Sequence, residues 1–187
     1  MILIIDFDDS FTFNIASSLS GMGVESLVIF FKDYIDNFQD FSCYKYIIWG
    51  PGPGHPSEYA SSLRKIFDEV LNDLNYCHLG ICLGHQLIMQ YLGAKIIKRE
   101  KPHHGFSKLL NLDQSWQKIL KTSSEIQVQF YNSLIAELGS KCGNQLIIDD
   151  ELMAYYDKNI LSYQFHPESV ATRDSSLFFQ AYFDLFN

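Results

Sequence analysis

The chain has 187 residues, of which 47% are hydrophobic and 19% are charged, and this composition is typical of a folded protein. At roughly 100 to 200 residues per domain, we expect residues 1–187 to form a single domain. The 14 Lys and Arg residues and 22 Asp and Glu residues give a net charge of −8. We expect no nucleic-acid partner and no membrane partner, because both require a concentrated positive patch that this sequence lacks.

The N-terminal segment and the cysteines indicate where the protein works. Residues 1–5 are apolar, but they lack a basic leader and are soon followed by Asp6, Asp8 and Asp9, which argues against a signal peptide or a membrane span. The four cysteines form no C-x-x-C pair and match neither a zinc site nor a disulfide framework. We therefore expect a cytoplasmic protein with no metal and no cofactor.

The first half of the sequence alternates short apolar runs with helical patterns. Ser10 is a candidate N-cap for a helix that reaches toward Met22, and Gly21 and Gly23 are candidates for its end. Gly93 similarly marks the end of a later helix. Strands are predicted at residues 2–5, 26–31, 44–49 and 76–81, and further helices at 59–74 and 83–92.

The second half changes to shorter strand candidates and ends in a helix. Continuous apolar strands joined by helices predict an open α/β fold, with a mostly parallel twisted sheet, helices on both faces and an antiparallel extension. Ligands are expected at the carboxyl ends of the strands. The strands are predicted at 95–98, 107–110, 125–130, 146–148, 152–156 and 160–164, and the helix at 175–186.

Residues 80–84 (GICLG) place Cys82 where a buried strand turns into a helix, with a glycine two residues away on each side. This is the layout of a nucleophile elbow, with sulfur in place of a serine hydroxyl. The glycines allow neighbouring backbone to approach closely, and the helix N-terminus favours a thiolate. The alternative for a single cysteine is an inert thiol in the core.

A thiol nucleophile needs a base, and His166 is the most constrained of the six histidines. In residues 164–168 (QFHPE), the proline disfavours a helical conformation at His166, so His166 and Glu168 can project to one side. The carboxylate can then fix the imidazole tautomer and stabilise the imidazolium. The alternative is a surface turn with an ordinary acid and histidine.

Residues 50–54 (GPGPG) follow one strand and precede a helix, so they lie at the same edge of the sheet as Cys82. Their backbone N–H groups are candidates for stabilising an oxyanion. The segment lacks the phosphate-binding P-loop pattern, and its two prolines remove N–H donors, which argues against a nucleotide site.

Six segments in order along the chain carry a family resemblance. Together they resemble the class I (triad) glutamine amidotransferases, and among these the small subunits (component II) of anthranilate synthase and of aminodeoxychorismate synthase. The resemblance implies a flavodoxin-like α/β fold. The segments are residues 6–14 (DFDDSFTFN), 51–54 (PGPG), 80–86 (GICLGHQ), 104–105 (HG), 131–134 (YNSL) and 165–169 (FHPES).

The resemblance implies a role for each matching residue. Cys82 would attack the side-chain amide of L-glutamine, His166 would shuttle the proton, and Glu168 would orient His166. The products would be a glutamyl thioester and ammonia, and water would then release glutamate. The backbone of Leu83 and of Gly52, Pro53 and Gly54 would form the oxyanion hole, and Gln86, Ser133 and Leu134 would hold the amino-acid end of glutamine.

The resemblance also implies a partner, a larger synthase subunit (component I) that binds chorismate and receives the ammonia. Residues 9–12 and the PGPG segment would face that subunit. The interpretation that we favour is component II of anthranilate synthase, in tryptophan biosynthesis. The alternatives are component II of aminodeoxychorismate synthase, in folate biosynthesis, and a non-catalytic regulatory module with the same fold. A cysteine-elbow hydrolase or stress protein of another α/β family would share only the elbow.

Three positions near these motifs differ from the usual family residue, and a fourth carries a histidine beside the elbow. Asn132 stands where the family usually has His, Phe106 where it usually has Lys, and His55 where it usually has Thr. None of these changes removes Cys82, His166 or Glu168. His85 follows the elbow directly, and we expect it to be structural, because helical geometry turns it away from the sulfur.

Overall fold

The computed structural model describes residues 1–139 and 142–186, which form helices and strands in alternation. A short 3₁₀ helix covers Phe38–Phe41. The α-helices are α1 (Thr12–Gly21), α2 (Phe31–Asp36), α3 (Ser57–Val70), α4 (Leu83–Tyr91), α5 (Gln114–Leu120) and α6 (Ser175–Phe186). The strands are β1 (Ile2–Asp6), β2 (Ser26–Phe30), β3 (Tyr46–Trp49), β4 (Cys77–Ile81), β5 (Lys95–Lys98), β6 (Phe106–Asn111), β7 (Glu125–Phe130), β8 (Leu134–Glu137), β9 (Asn144–Ile148), β10 (Glu151–Asp157) and β11 (Ile160–Tyr163).

A seven-stranded sheet with the order β2-β1-β3-β4-β11-β10-β9 forms the centre of the fold. The pairs from β2 to β11 are parallel, and β10 and β9 continue the sheet in antiparallel pairing. This arrangement confirms the predicted open α/β fold with an antiparallel extension. Strand β4 lies between β3 and β11, so its carboxyl end, where the elbow begins, is near the middle of the sheet.

Helices cover both faces of this sheet, which explains why β1 is apolar from Ile2 to Ile5. Ile2 and Ile4 pack with the buried side chains of α1 and α6, whereas Leu3 and Ile5 pack on the opposite face with those of α3 and α4. Each buried aliphatic side chain of this kind contributes about 1.5–3 kcal/mol. Within the described residues, no helix has both the length and the apolar character that crossing a membrane requires.

Two small antiparallel sheets flank the main one. Strand β5 pairs with β8, and β6 pairs with β7. An isolated bridge joins Gln129 of β7 to His166, just beyond the end of β11. The β6–β7 pair therefore borders the same carboxyl edge as the elbow.

The predicted N-cap at Ser10 is wrong, because α1 begins two residues later at Thr12. Aspartates organise the turn instead of the serine. The Asp6 carboxylate accepts hydrogen bonds from two backbone N–H groups of the turn and from the Thr12 hydroxyl (2.7 Å). The Asp9 carboxylate accepts from the Phe11 N–H (2.8 Å).

Helix α3 ends at Val70, earlier than the predicted end at Leu74, which is 66% exposed. The side-chain amide of Asn159 donates to the carbonyls of Leu71, Asp73 and Tyr76 at 3.4, 3.1 and 2.9 Å. Asn159 is far away in the sequence, and its amide holds the turn that follows α3 next to the start of β11. The sequence analysis also missed α2, the 3₁₀ helix, α5 and β8.

Candidate active site

Cys82 sits between β4 and α4 in a strained backbone conformation, with φ 53° and ψ −102°. Its N–H donates to the Tyr163 carbonyl of β11 (2.9 Å), which holds the turn against the sheet. The glycines on either side are required for packing. A Cβ on Gly84 would lie 2.0 Å from the Trp49 oxygen, and a Cβ on Gly80 would lie 2.9 Å from the Gly84 backbone. The two glycines that indicated an elbow in the sequence are therefore the residues that the close packing of this turn requires.

The turn that carries His166 is pinned to β7. The His166 N–H donates to the Gln129 carbonyl (2.9 Å), and the Gln129 N–H donates to the Thr172 hydroxyl oxygen (3.0 Å). The Thr172 hydroxyl in turn donates to the His166 carbonyl (2.7 Å). These bonds hold the backbone of the turn beside the elbow, and neither Gln129 nor Thr172 was singled out by the sequence analysis.

His166 and Glu168 form a buried pair, with 2.7 Å between Nδ1 and Oε1 and exposures of 2% and 4%. Burial favours the neutral imidazole, but the Cys82 sulfur and the Glu168 carboxylate outweigh it and hold the pKa of His166 well above the usual 6.5. The Nε2 atom has no conventional hydrogen-bond partner among the described residues. This nitrogen is therefore the one left to exchange a proton with Cys82.

The thiol leaves the carboxyl edge of the sheet, as expected of an elbow, but Cys82 is only 7% exposed. The His166 turn and the Gln164 amide lie against the sulfur and cover it. Cys82, His166 and Glu168 are therefore all covered in the chain by itself.

The GPGPG segment lies directly against the elbow. The Gly84 N–H donates to the Gly50 carbonyl (3.1 Å), and a Cβ on Gly52 would lie 2.5 Å from the Leu83 side chain. Gly54 has φ +82°, a conformation that favours glycine. Gly52 and Leu83, both predicted to serve the oxyanion hole, are therefore neighbours.

The outer part of this segment is tied to α3. The Pro53 carbonyl accepts a hydrogen bond from the Tyr59 hydroxyl (3.0 Å). The His55 N–H donates to Glu58 Oε1 (2.6 Å), next to Gly54. His55 therefore serves to close the turn onto the helix.

A chain of buried amides links the predicted substrate-binding residues to the sulfur. The Gln86 side-chain NH₂ donates to the Leu134 carbonyl (3.0 Å) and to Gln164 Oε1 (3.1 Å). The Gln164 NH₂ donates toward Cys82 Sγ at 3.9 Å. The sequence analysis did not select Gln164, although it opens the QFHPE segment, because its role depends on two residues far away in the sequence.

The loop at Ser133 and Leu134 is held from two sides. The Arg99 N–H donates to the Ser133 carbonyl (2.9 Å), and the Asn132 side-chain NH₂ donates to the Leu134 carbonyl (2.9 Å). Asn132 is 3% exposed, and its Oδ1 has no partner among the described residues. An amide at this position fixes the loop by a hydrogen bond and does not titrate.

The remaining two residues singled out from the sequence lie away from the chemistry. His85 is fully buried, and its Nδ1 is 2.9 Å from the Ser162 hydroxyl. Burial lowers the pKa of His85 to about 3, so it stays neutral and is no rival to His166 as the base. Phe106 is 46% exposed and stacks on His103 with ring centroids 4.4 Å apart.

Comparison with known proteins agrees with this geometry. A family model described as "Glutamine amidotransferase class-I" matches residues 3–185. Anthranilate synthase component 2 of Cyanophora paradoxa is 33% identical over 198 residues, and the match covers 100% of both chains. A Schizosaccharomyces pombe protein named as an aminodeoxychorismate synthase is 32% identical over 98% of this chain, which spans only 26% of that protein.

The fold is also shared with solved structures. A Thermoplasma acidophilum protein described as part of a GMP synthase superposes with a TM-score of 0.83 at 20% identity. The superposition covers 99% of this chain and 92% of the other. At this identity the likeness establishes the α/β architecture.

Proposed function

The chain belongs to the class I glutamine amidotransferase family, and from this premise we propose that it acts as a single domain that hydrolyses L-glutamine through a thioester on Cys82. The observation that carries this proposal is the buried set of Cys82, His166 and Glu168 at a strained strand–helix elbow. A non-catalytic module would have no reason to retain this set, since burying an acid–imidazole pair is costly.

In the first half-reaction, Cys82 Sγ passes its proton to His166 Nε2 and attacks the side-chain amide carbon of glutamine. Glu168 stabilises the imidazolium that forms, because its carboxylate already accepts from Nδ1. The oxyanion is stabilised by the backbone at Leu83 and Gly52–Gly54, next to the N-terminus of α4. The imidazolium then gives its proton to the leaving nitrogen, which departs as ammonia.

In the second half-reaction, water attacks the glutamyl thioester. His166 takes a proton from the water as it adds, and the thiolate leaves and recovers a proton. Glutamine and water are thereby converted to glutamate and ammonia, with Cys82 regenerated. These steps require His166 to act first as a base and then as an acid. The Glu168 carboxylate suits this double role because its hydrogen bond to Nδ1 holds the imidazole in one orientation.

The amino-acid end of glutamine is assigned to Gln86, Ser133 and Leu134. The Leu134 carbonyl already accepts one hydrogen bond from Gln86 and one from Asn132, and together these occupy both of its lone pairs. The NH₂ group of Gln86 therefore shapes the wall of the site, and Ser133 and the Leu134 N–H are the groups better suited to reach the substrate.

We further propose that the ammonia passes to a chorismate-binding synthase subunit, with this chain as component II of anthranilate synthase. The full-length match to a protein named anthranilate synthase component 2 favours this interpretation. Component II of aminodeoxychorismate synthase is the alternative, supported by the S. pombe match. Apolar side chains exposed near the site suit a partner surface: Phe13, Tyr131 and Val170, at 64%, 36% and 101% exposure.

The decisive experiment replaces the nucleophile in the assembled complex. Cys82→Ser should abolish glutamine-dependent synthesis and leave synthesis from added ammonium intact, because nucleophile and acceptor chemistry are on different chains. Cys43→Ser, an exposed cysteine, serves as the control. Equal loss of both activities in Cys82→Ser would show that the variant damages the complex and not the glutaminase step. The aromatic product of the wild-type complex then distinguishes the two pathways.

A further inference from the structure

Two aromatic rings flank the imidazole of His166. The Phe11 ring lies 5.2 Å from it, tilted by 57°, and the Tyr131 ring lies 5.2 Å from it in an edge-on contact of 87°. Phe11 and Tyr131 also contact each other, with centroids 4.9 Å apart. We call these two residues the aromatic bracket.

The bracket supplies a restraint that the hydrogen bonds of His166 do not. The Nδ1–Glu168 bond and the backbone bond to Gln129 fix one ring nitrogen and the main chain. Nε2 has no such bond, so its direction toward Cys82 depends on what packs against the faces and edges of the ring. Cys82 and Glu168 are the titratable groups that raise the pKa of His166, and the phenol ring of Tyr131 also contacts the imidazole.

The two halves of the bracket come from different parts of the fold. Tyr131 follows β7, the strand that also holds the His166 backbone through Gln129. Phe11 belongs to the β1–α1 loop, residues 7–11, whose conformation is set by the Asp6 and Asp9 carboxylates.

This loop reaches the surface as well as the base. Asp8 and Ser10 are exposed, and Phe13, in the first turn of α1, is 64% exposed. The hydrogen bonds to the Asp6 and Asp9 carboxylates connect the exposed part of this loop to the backbone of Phe11. A displacement of about 1 Å at a reacting group can lower a rate on the order of 10²-fold.

We infer that Phe11 and Tyr131 are positioning residues that aim His166 Nε2 at Cys82, and that the β1–α1 loop is the route by which the bound synthase partner changes this aim. The first half of the inference concerns the chain alone. The second half rests on the proposed function, because it requires the partner.

The first half is tested by NMR on the chain labelled in its histidine rings, with His166→Asn used to assign the His166 signals. In Phe11→Leu and Tyr131→Leu, the His166 ring signals should lose their aromatic ring-current shifts, and the apparent pKa of His166 should fall toward 6.5. Glutaminase kcat/KM should fall at least about tenfold. Tyr131→Phe keeps the ring and should restore the His166 signals and pKa.

Phe41→Leu is the matched control, because Phe41 is also half-buried between two rings, Tyr34 and Tyr44, away from the site. It should change neither the His166 titration nor the activity. The inference is overturned if Phe11→Leu lowers Tm but leaves the His166 titration unchanged, since the ring would then be ordinary packing. It is also overturned if Phe11→Leu raises glutaminase activity, since the ring would then be only a cover. If Phe11→Leu does not fold, Tyr131→Leu decides in the same way.

The second half is tested by adding the synthase subunit. Phe11→Leu should still bind it but should lose most of the activation that the wild-type chain shows. If the synthase subunit activates Phe11→Leu as strongly as it activates the wild-type chain, the β1–α1 loop is not the route of partner control. If the wild-type chain binds no synthase subunit, the proposed partner is wrong, and the NMR result still decides the role of the bracket.

Discussion

At the scale of single residues, the thiol is surrounded by groups that differ in how they act on it. In the proposed reaction His166 exchanges a proton with Cys82, whereas Gln164 donates toward the sulfur and cannot titrate. Gln164 is 1% exposed, and its Oε1 is occupied by Gln86. The amide is therefore oriented with its NH₂ group toward the sulfur, where it favours the negatively charged form.

The contribution of this amide can be measured with Gln164→Leu, which removes both the donor to Cys82 and the acceptor for Gln86. We expect kcat for glutamine hydrolysis to fall about tenfold. This loss is smaller than the roughly 10²–10³ for an oxyanion-hole donor, because Gln164 acts on the sulfur and not on the developing oxyanion.

Gln117→Leu provides the control for this substitution. Its NH₂ group donates to the Leu112 carbonyl (2.8 Å) at the start of α5, away from the site. Steady-state glutamate release should be unchanged in Gln117→Leu. Wild-type turnover by a folded Gln164→Leu chain would exclude any effect of this amide on the sulfur.

At the scale of elements, β4 leads directly into Cys82 and carries a buried histidine, His78, near its start. His78 is fully buried, accepts from Trp49 Nε1 at Nδ1 (3.2 Å), and donates from Nε2 to the Val70 carbonyl (3.0 Å). Burial lowers the pKa of His78 to about 4, from 6.5, despite the bond to Val70. This histidine joins β3, β4 and the end of α3 only while it is neutral.

The consequence for stability has a definite sign. Below pH 6.5 the unfolded chain binds a proton at His78 that the folded chain does not, so the free energy of unfolding falls as the pH falls toward about 4. The loss is about 3 kcal/mol over this range. His78→Gln can make the same two hydrogen bonds without titrating, so its free energy of unfolding should depend less on pH by that amount.

Urea denaturation of both chains between pH 7 and pH 4 measures this difference. His104→Gln, at an exposed position, should follow the wild-type curve. A constant difference in the free energy of unfolding between wild type and His78→Gln reflects packing. The comparison therefore uses only the change of that free energy with pH. Parallel curves would mean that His78 is protonated in the folded chain.

At the scale of the whole molecule, the reacting groups are covered while the surface around them is apolar. Cys82, His166 and Glu168 are 7%, 2% and 4% exposed, and Phe13 and Tyr131 lie exposed beside the loops that cover them. An amidotransferase that released ammonia without an acceptor would waste glutamine.

We therefore expect low glutaminase activity for the purified chain and a rise of at least about tenfold on addition of the synthase subunit, with chorismate raising it further. The mechanism is positional, since modest displacement of an oxyanion donor lowers the rate strongly. Glutamate release at saturating glutamine, with and without the partner, measures this effect. Full turnover by the chain alone would contradict partner control and leave the Cys82 chemistry unaffected.

The sequence by itself determined the features that depend on local patterns. Strand β1 is apolar from Ile2 to Ile5 because both of its faces are buried, and it was predicted on that basis. The elbow at Cys82 could be recognised because glycine is needed at Gly80 and Gly84, and the pair of His166 and Glu168 because the following proline keeps His166 out of a helix. Helix α5 could also have been found, since Asp113 is its N-cap and accepts from the Trp116 N–H (2.9 Å).

Only the tertiary structure decided the features that depend on residues distant in sequence. Strand β8 is defined by its pairing with β5, and the end of α3 is defined by the Asn159 amide. Gln164 was missed because its partners, Gln86 and Cys82, come from another part of the chain. In the sequence, Phe11 is only a residue near the start of a helix, and its contact with the His166 ring is visible only in the folded chain. Local sequence encodes propensity and backbone geometry, whereas these contacts arise only when the main sheet brings the carboxyl ends of β1, β4 and β11 to one edge and β7 packs beside that edge.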